Sequence, residues 1–128
     1  MVSEVVTNRI RVSVKAFYLP EHSDPLSSLY VYAYRIRITN EGDFPARLMR
    51  RHWIITDGLG NVEEVDGDGV VGEQPRLEPG ESFEYTSTCP LNTQYGVMRG
   101  HYEMVDDEGH RFEAEVSPFK LFIPALSN

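Results

Sequence analysis

Asp66-Gly67-Asp68-Gly69-Val70-Val71-Gly72-Glu73-Gln74-Pro75 is the part of this chain whose residue types and spacing come nearest to chemistry. Gly67, Gly69 and Gly72 fit G-x-G-x-x-G, the spacing that lets a backbone approach a pyrophosphate at the positive end of a following helix. Pro75 stands three residues past the last glycine and biases Gln74 toward extended geometry, so a helix, and with it the dipole, is not expected here. Asp66, Asp68 and Glu73 surround the glycines with negative charge, and no Lys or Arg lies between Asp57 and Gly72. A bare phosphate would be repelled. The plain expectation is a glycine-rich loop between strands, with a metal-bridged phosphate at Gly67, Gly69 and Gly72 as the alternative.

The remaining candidates are thinner. Asp66 and Asp68, with Glu63 or Glu73, offer hard oxygen ligands to a divalent cation, but the segment lacks the third ligand and terminal Glu of an EF-hand loop. Acid/base work by Glu63, Glu64, Asp66, Asp68 and Glu73 would require a dry cleft that sets two carboxyl pKa values apart, which an exposed loop does not provide. The four histidines are too scattered for a local ligand motif: His22 and His110 fall in turns, His52 and His101 within strands. The lone Cys89 excludes an internal disulfide and a multi-cysteine zinc site, and no nucleophile elbow is visible. No catalytic residue is therefore assigned, and no cofactor beyond the divalent cation weighed at Asp66 and Asp68. Arg50-Arg51-His52, ahead of Trp53, is a candidate recognition surface together with Glu63.

The elements that must carry these residues alternate with period two. Strands are expected over Ile10 to Tyr18, Tyr30 to Asn40, Ala46 to Thr56, Val62 to Val65, Ser82 to Ser87, Gln94 to Val105 and Arg111 to Val116. Tyr30, Tyr32, Tyr34, Ile36 and Ile38 share one face, while Val31 and Ala33 make the other face apolar as well, so a second subunit or the N-terminal arm is expected to cover it. Pro20 to Ser28 reads as a polar loop and Pro124 to Asn128 as a loose tail. Trp53 reads as the central plug of the core. Seven strands with no helical connection predict an all-β antiparallel β-sandwich, one domain over residues 1–128.

Net charge is −8, and residues 57–84 hold nine acids against one base, Arg76. Arg35, Arg37, Arg47, Arg50 and Arg51 crowd another segment, so an electrically two-sided molecule is expected if the fold keeps the two apart. Two lysines in an acidic chain argue against nucleic-acid binding. With no apolar run long enough for a signal peptide or span, a cytoplasmic, non-membrane protein is expected.

The order of motifs resembles the ApaG family. Arg51-His52-Trp53-Ile54-Ile55-Thr56-Asp57-Gly58, Gly69-Val70-Val71-Gly72-Glu73-Gln74-Pro75, Pro79-Gly80-Glu81 and Phe83-Glu84-Tyr85-Thr86-Ser87 carry the resemblance. Gly96-Val97-Met98-Arg99-Gly100-His101-Tyr102 and Phe112-Glu113-Ala114 extend it over residues 5–124. The resemblance implies an immunoglobulin-like or fibronectin type III-like sandwich in a stand-alone bacterial protein. It implies a protein-interaction module, since the same domain elsewhere is attached to F-box proteins and to a polymerase-interacting protein. It also implies a link to cobalt and magnesium traits and a glycine motif discussed as pyrophosphate-binding, but no catalytic residue set. The expectation is a non-catalytic binding module for another protein, a homodimer being one form of this, with a metal-complexed nucleotide or pyrophosphate as the alternative ligand.

Overall fold

The computed structural model describes residues 2–124, and the expected C-terminal tail, apart from Pro124, lies outside them. Nine strands follow in order: β1 Val2–Thr7, β2 Ile10–Tyr18, β3 Tyr30–Asn40, β4 Ala46–Asp57, β5 Val62–Asp68, β6 Arg76–Leu77, β7 Ser82–Leu91, β8 Tyr95–Asp106 and β9 Arg111–Phe122. One sheet has the order β1-β2-β3-β7 and the other β5-β4-β8-β9, with β6 also on β4. Every pairing is antiparallel. The two-sheet sandwich read from the alternation is what forms. Among the described residues no helix is long and apolar enough to cross a membrane.

The tyrosine strand behaves as its pattern predicts, with Tyr32, Ile36 and Ile38 fully buried between the sheets. Trp53 is the central plug: its indole packs edge-on against Tyr34 at 5.6 Å, Tyr102 at 6.1 Å and Phe119 at 6.0 Å. Such edge contacts match the quadrupoles of the rings and add to the burial of their area. Among the described residues Asn40 is the one buried polar side chain, and its amide is bonded at both ends. Nδ2 donates to the carbonyls of Phe44 (2.8 Å) and Leu77 (3.0 Å), while Oδ1 accepts from Gly42 N–H.

Leu48 and Trp53 both face the core although they stand five positions apart, an odd spacing that a regular strand sends to opposite faces. A bulge between Leu48 and Arg50 in the β4–β8 register absorbs the extra residue, Met49. It leaves Arg50 and His52 outside and turns Arg51, Trp53 and Ile55 inward. A second bulge, where β9 passes Ser117 and Pro118 opposite Arg99, lets Val116 and Phe119 both point inward.

The N-terminal arm, one of the expected covers, does not lie over the outer face at Val31 and Ala33. Phe17 stands opposite Ala33, with the Arg35 guanidinium 6.0 Å from the centre of its ring. The loop after β2, which contains two 3₁₀ turns, folds back so that Ser23 Oγ accepts from Val31 N–H at 2.8 Å. The N-terminal arm instead adds β1 to the sheet edge and reaches β9 through Ser3 and Asn8, whose side chains donate to the carbonyls of Ser117 and Glu113.

Candidate functional site

The glycine segment is a strand end and a tight hairpin. Gly67 belongs to β5, opposite Arg51, and an added Cβ there would lie 2.6 to 2.8 Å from the Arg51 guanidinium, so glycine makes room for that group. Arg51 Nη1 in turn donates to the carbonyls of Asp68 and Gly69 at 3.0 Å. Val70 and Glu73 exchange two backbone hydrogen bonds of 2.8 and 2.9 Å around Val71 and Gly72, whose φ values are +43° and +82°. Gly69 N–H donates to Met49 O, and Gln74 Nε2 donates to the same carbonyl. The amides of Gly69, Val70 and Glu73 are thus spent within the protein, and the chain continues into β6 with no helix to supply a dipole.

The charge segments are not kept apart. β5 carries its carboxylates directly alongside β4, so the expectation of one acidic and one basic surface is overturned by strand pairing. Asp68 pairs with Arg50, and Asp66 with His52, Oδ1 to Nδ1 at 2.6 Å. Arg76, the lone base of the acidic segment, is held between Glu78 and Asp107. The hydrogen bond to Asp66 raises the His52 pKa, and the same bond lowers that of Asp66. Asp66 and Asp68, weighed as metal ligands, therefore lie on the outer face of the sheet, each against a basic partner. His101, opposite His52, joins this face with its ring centre 5.1 Å away.

The recognition residues singled out in the sequence are dispersed. Arg50 and His52 share the outer face, Arg51 is tucked under Gly67, and Glu63 opposes Ile55 near the end of the sandwich. Cys89 is buried within β7, and burial above all, then the Glu63 charge, pushes its thiol up to about 11. It is a protonated packing residue at neutral pH, not a primed nucleophile.

The most distinctive surface had no sequence assignment. At one end of the sandwich, Ser27 to Leu29, the start of β5 and the end of β7 enclose an open cleft of about 590 Å³ lined by Leu29, Ile55, Val62, Pro90 and Leu91. Val62 in this lining is 62% exposed, and two leucines next in sequence to lining residues are more exposed still: Leu26, before Ser27, at 100% and Leu59, between Asp57 and Asn61, at 80%. The turns that present these side chains are tied down. Asp57 accepts from the amides of Leu59 and Asn61, and Gly58 N–H donates to Thr93 Oγ1 at 2.8 Å. Asp57 and Glu63 are the acids of the lining, which contains no Lys or Arg. The available signal was a leucine between two glycines in Asp57-Gly58-Leu59-Gly60-Asn61, since a turn has no packing use for an isolated large apolar side chain.

Comparison with known proteins places the chain among close relatives. The ApaG domain family model matches residues 20–106. Protein ApaG of Anaeromyxobacter dehalogenans (strain 2CP-C) is 51% identical over 126 residues, covering 98% of this chain and 99% of the relative. Protein ApaG of Stenotrophomonas maltophilia (strain K279a) is 56% identical over 115 residues, covering 90% and 91%. A crystal structure of an ApaA protein from Bordetella pertussis superposes with a TM-score of 0.89 at 52% identity, covering 95% of this chain and 99% of that one.

Proposed function

Starting from the fact that the chain belongs to the ApaG family, we propose that it is a non-catalytic binding module whose ligand is another protein, engaged at the end of the sandwich that displays Leu26, Leu59 and Val62. The exposure of Val62 in a concave cleft whose lining has no Lys or Arg, and of Leu26 and Leu59 in the adjoining turns of the chain, carries the reading. Loops clustered at one end of an immunoglobulin-like sandwich form a surface on a rigid support, where binding residues concentrate. Burying large apolar side chains supplies about 25 cal/mol per Å². Asp57 is occupied within its own turn, so Glu63 is the carboxylate left to meet a partner. The partner segment should present apolar anchors beside a basic group. The metal-complexed nucleotide or pyrophosphate reading at Gly67, Gly69 and Gly72 draws less support, because the amides of Gly69, Val70 and Glu73 already donate internally.

The test places a photo-crosslinking amino acid at Leu59, and in a control chain at Glu108, in the turn at the far end of β8. A single cross-linked protein from position 59, absent from position 108 and lost when Leu26→Asp and Val62→Asp are added, is the expected result. Equal products from both positions, or none from position 59, would refute this placement.

A further inference from the structure

The outer face of the β4–β8 sheet carries a row that the reading above does not use. Strand register aligns Asp66, His52, His101 and Glu115 on four neighbouring strands, with Glu113 diagonal to His101. From this arrangement we propose a divalent transition-metal site in which His101, Glu113 and Glu115 are the protein ligands.

Three observations support it. One donor atom from each residue falls within 4.8 Å of the other two, and His101 Nε2 to Glu113 Oε2 is 3.4 Å. A tetrahedral ion with bonds of roughly 2.0–2.1 Å separates its ligands by about 3.3–3.4 Å, so that edge is already at coordination spacing. The local charge also favours a cation. Glu103 and Glu113 are directly paired across β8 and β9, a like-charge contact, and Arg50 near Glu103 is shared with Asp68. Against this, Arg99 precedes His101 by two residues on β8 and Arg111 precedes Glu113 by two on β9. His52, hydrogen-bonded to Asp66, packs its ring 5.1 Å from that of His101 and so limits the room in which the second imidazole can turn. An imidazole with two carboxylates suits zinc and its neighbours, whereas magnesium prefers an all-oxygen octahedron.

This site faces away from the apolar end and stands independently of the protein-binding reading. The experiment is a calorimetric titration of the full chain with Zn²⁺ at pH 7, paired with ¹⁵N spectra of the histidine rings and repeated with Mg²⁺. One saturable Zn²⁺ site should appear, with the His101 ring signals moving. His101→Ala and Glu115→Gln should each weaken Zn²⁺ by at least about tenfold. Both side chains stand on the outer face, and circular dichroism verifies that the variants remain folded. Three results would overturn the proposal: no saturable site in the wild-type chain, ring shifts confined to His22, His52 or His110, or unchanged affinity in both variants. Mg²⁺ binding as tight as Zn²⁺ would overturn the transition-metal assignment.

Discussion

Val71 and the His52–Asp66 pair, all outside the core, show how local chemistry is spent in this protein. Val71 is a β-branched residue at φ +43° on an exposed hairpin tip, a conformation that favours Asn or Gly. Val71→Asn should raise stability by about 1 kcal/mol in urea denaturation. A loss of stability would mean that Val71 makes a contact which compensates its backbone. The His52–Asp66 pair predicts a pH signature. The folded pKa of His52 is raised above its ordinary 6.5, so its contribution is complete below 6.5 and is lost as pH rises through the raised value. That of Asp66 is lowered below 3.8, so its contribution is present above 3.8 and is lost as pH falls through the lowered value. Urea midpoints of wild type and Asp66→Asn should therefore differ most between pH 3.8 and 6.5 and converge in alkali. A gap that keeps widening above pH 6.5 would contradict the pairing.

Strand elements were legible wherever alternation ran unbroken. β2 and β3 match their expected bounds, and β4 differs from its expectation by one residue. Alternation stops at Ser117-Pro118, so β9 was expected to end at Val116, yet the bulge carries it to Phe122. β5 was expected to stop at Val65 because Gly67 weakens a strand signal, and strand pairing with Arg50 and Arg51 extends it to Asp68. β7 runs through Cys89-Pro90 to Leu91, and β1 had no expectation at all. The charge arrangement was illegible for a related reason, since cross-strand neighbours are set by register and not by distance along the chain. The bulge at Met49 can be tested directly. Deleting Met49 restores simple alternation from Leu48 to Trp53, so Trp53 fluorescence should remain shielded. Amide exchange in residues 69–75 should accelerate, because the Met49 carbonyl that accepts from Gly69 and Gln74 is gone. An exposed Trp53 in that variant would show that Met49 is not the surplus residue. Trp53→Ala, by contrast, empties the plug and should lose about 3–5 kcal/mol.

The two sides of the sandwich are finished differently, and that asymmetry bears on how the whole molecule stays stable and avoids sticking to itself. Between β5 and β7 the sheets part around a cleft of about 270 Å³ that reaches Arg51, Trp53 and Cys89. On the other side, β1 pairs along its full length with β2 and is linked to β9 through Ser3 and Asn8, joining the two sheets. Without β1, the strand β2 becomes the edge, and the backbone groups that β1 had paired turn to water. An unpaired edge is also a template for a second chain. Val2 and Val6, both substantially exposed on β1, show that this strand is held by its backbone ladder more than by apolar burial. A chain lacking residues 1–8 should therefore keep its core and its Trp53 environment, unfold at lower urea, and self-associate with rising concentration in sedimentation velocity. The full chain should not show that concentration dependence under the same conditions. If the truncated chain sediments as the full one does and unfolds at the same urea concentration, β1 is not what closes the edge. The loop after β2, which already reaches Val31 through Ser23, would then be the next segment to remove.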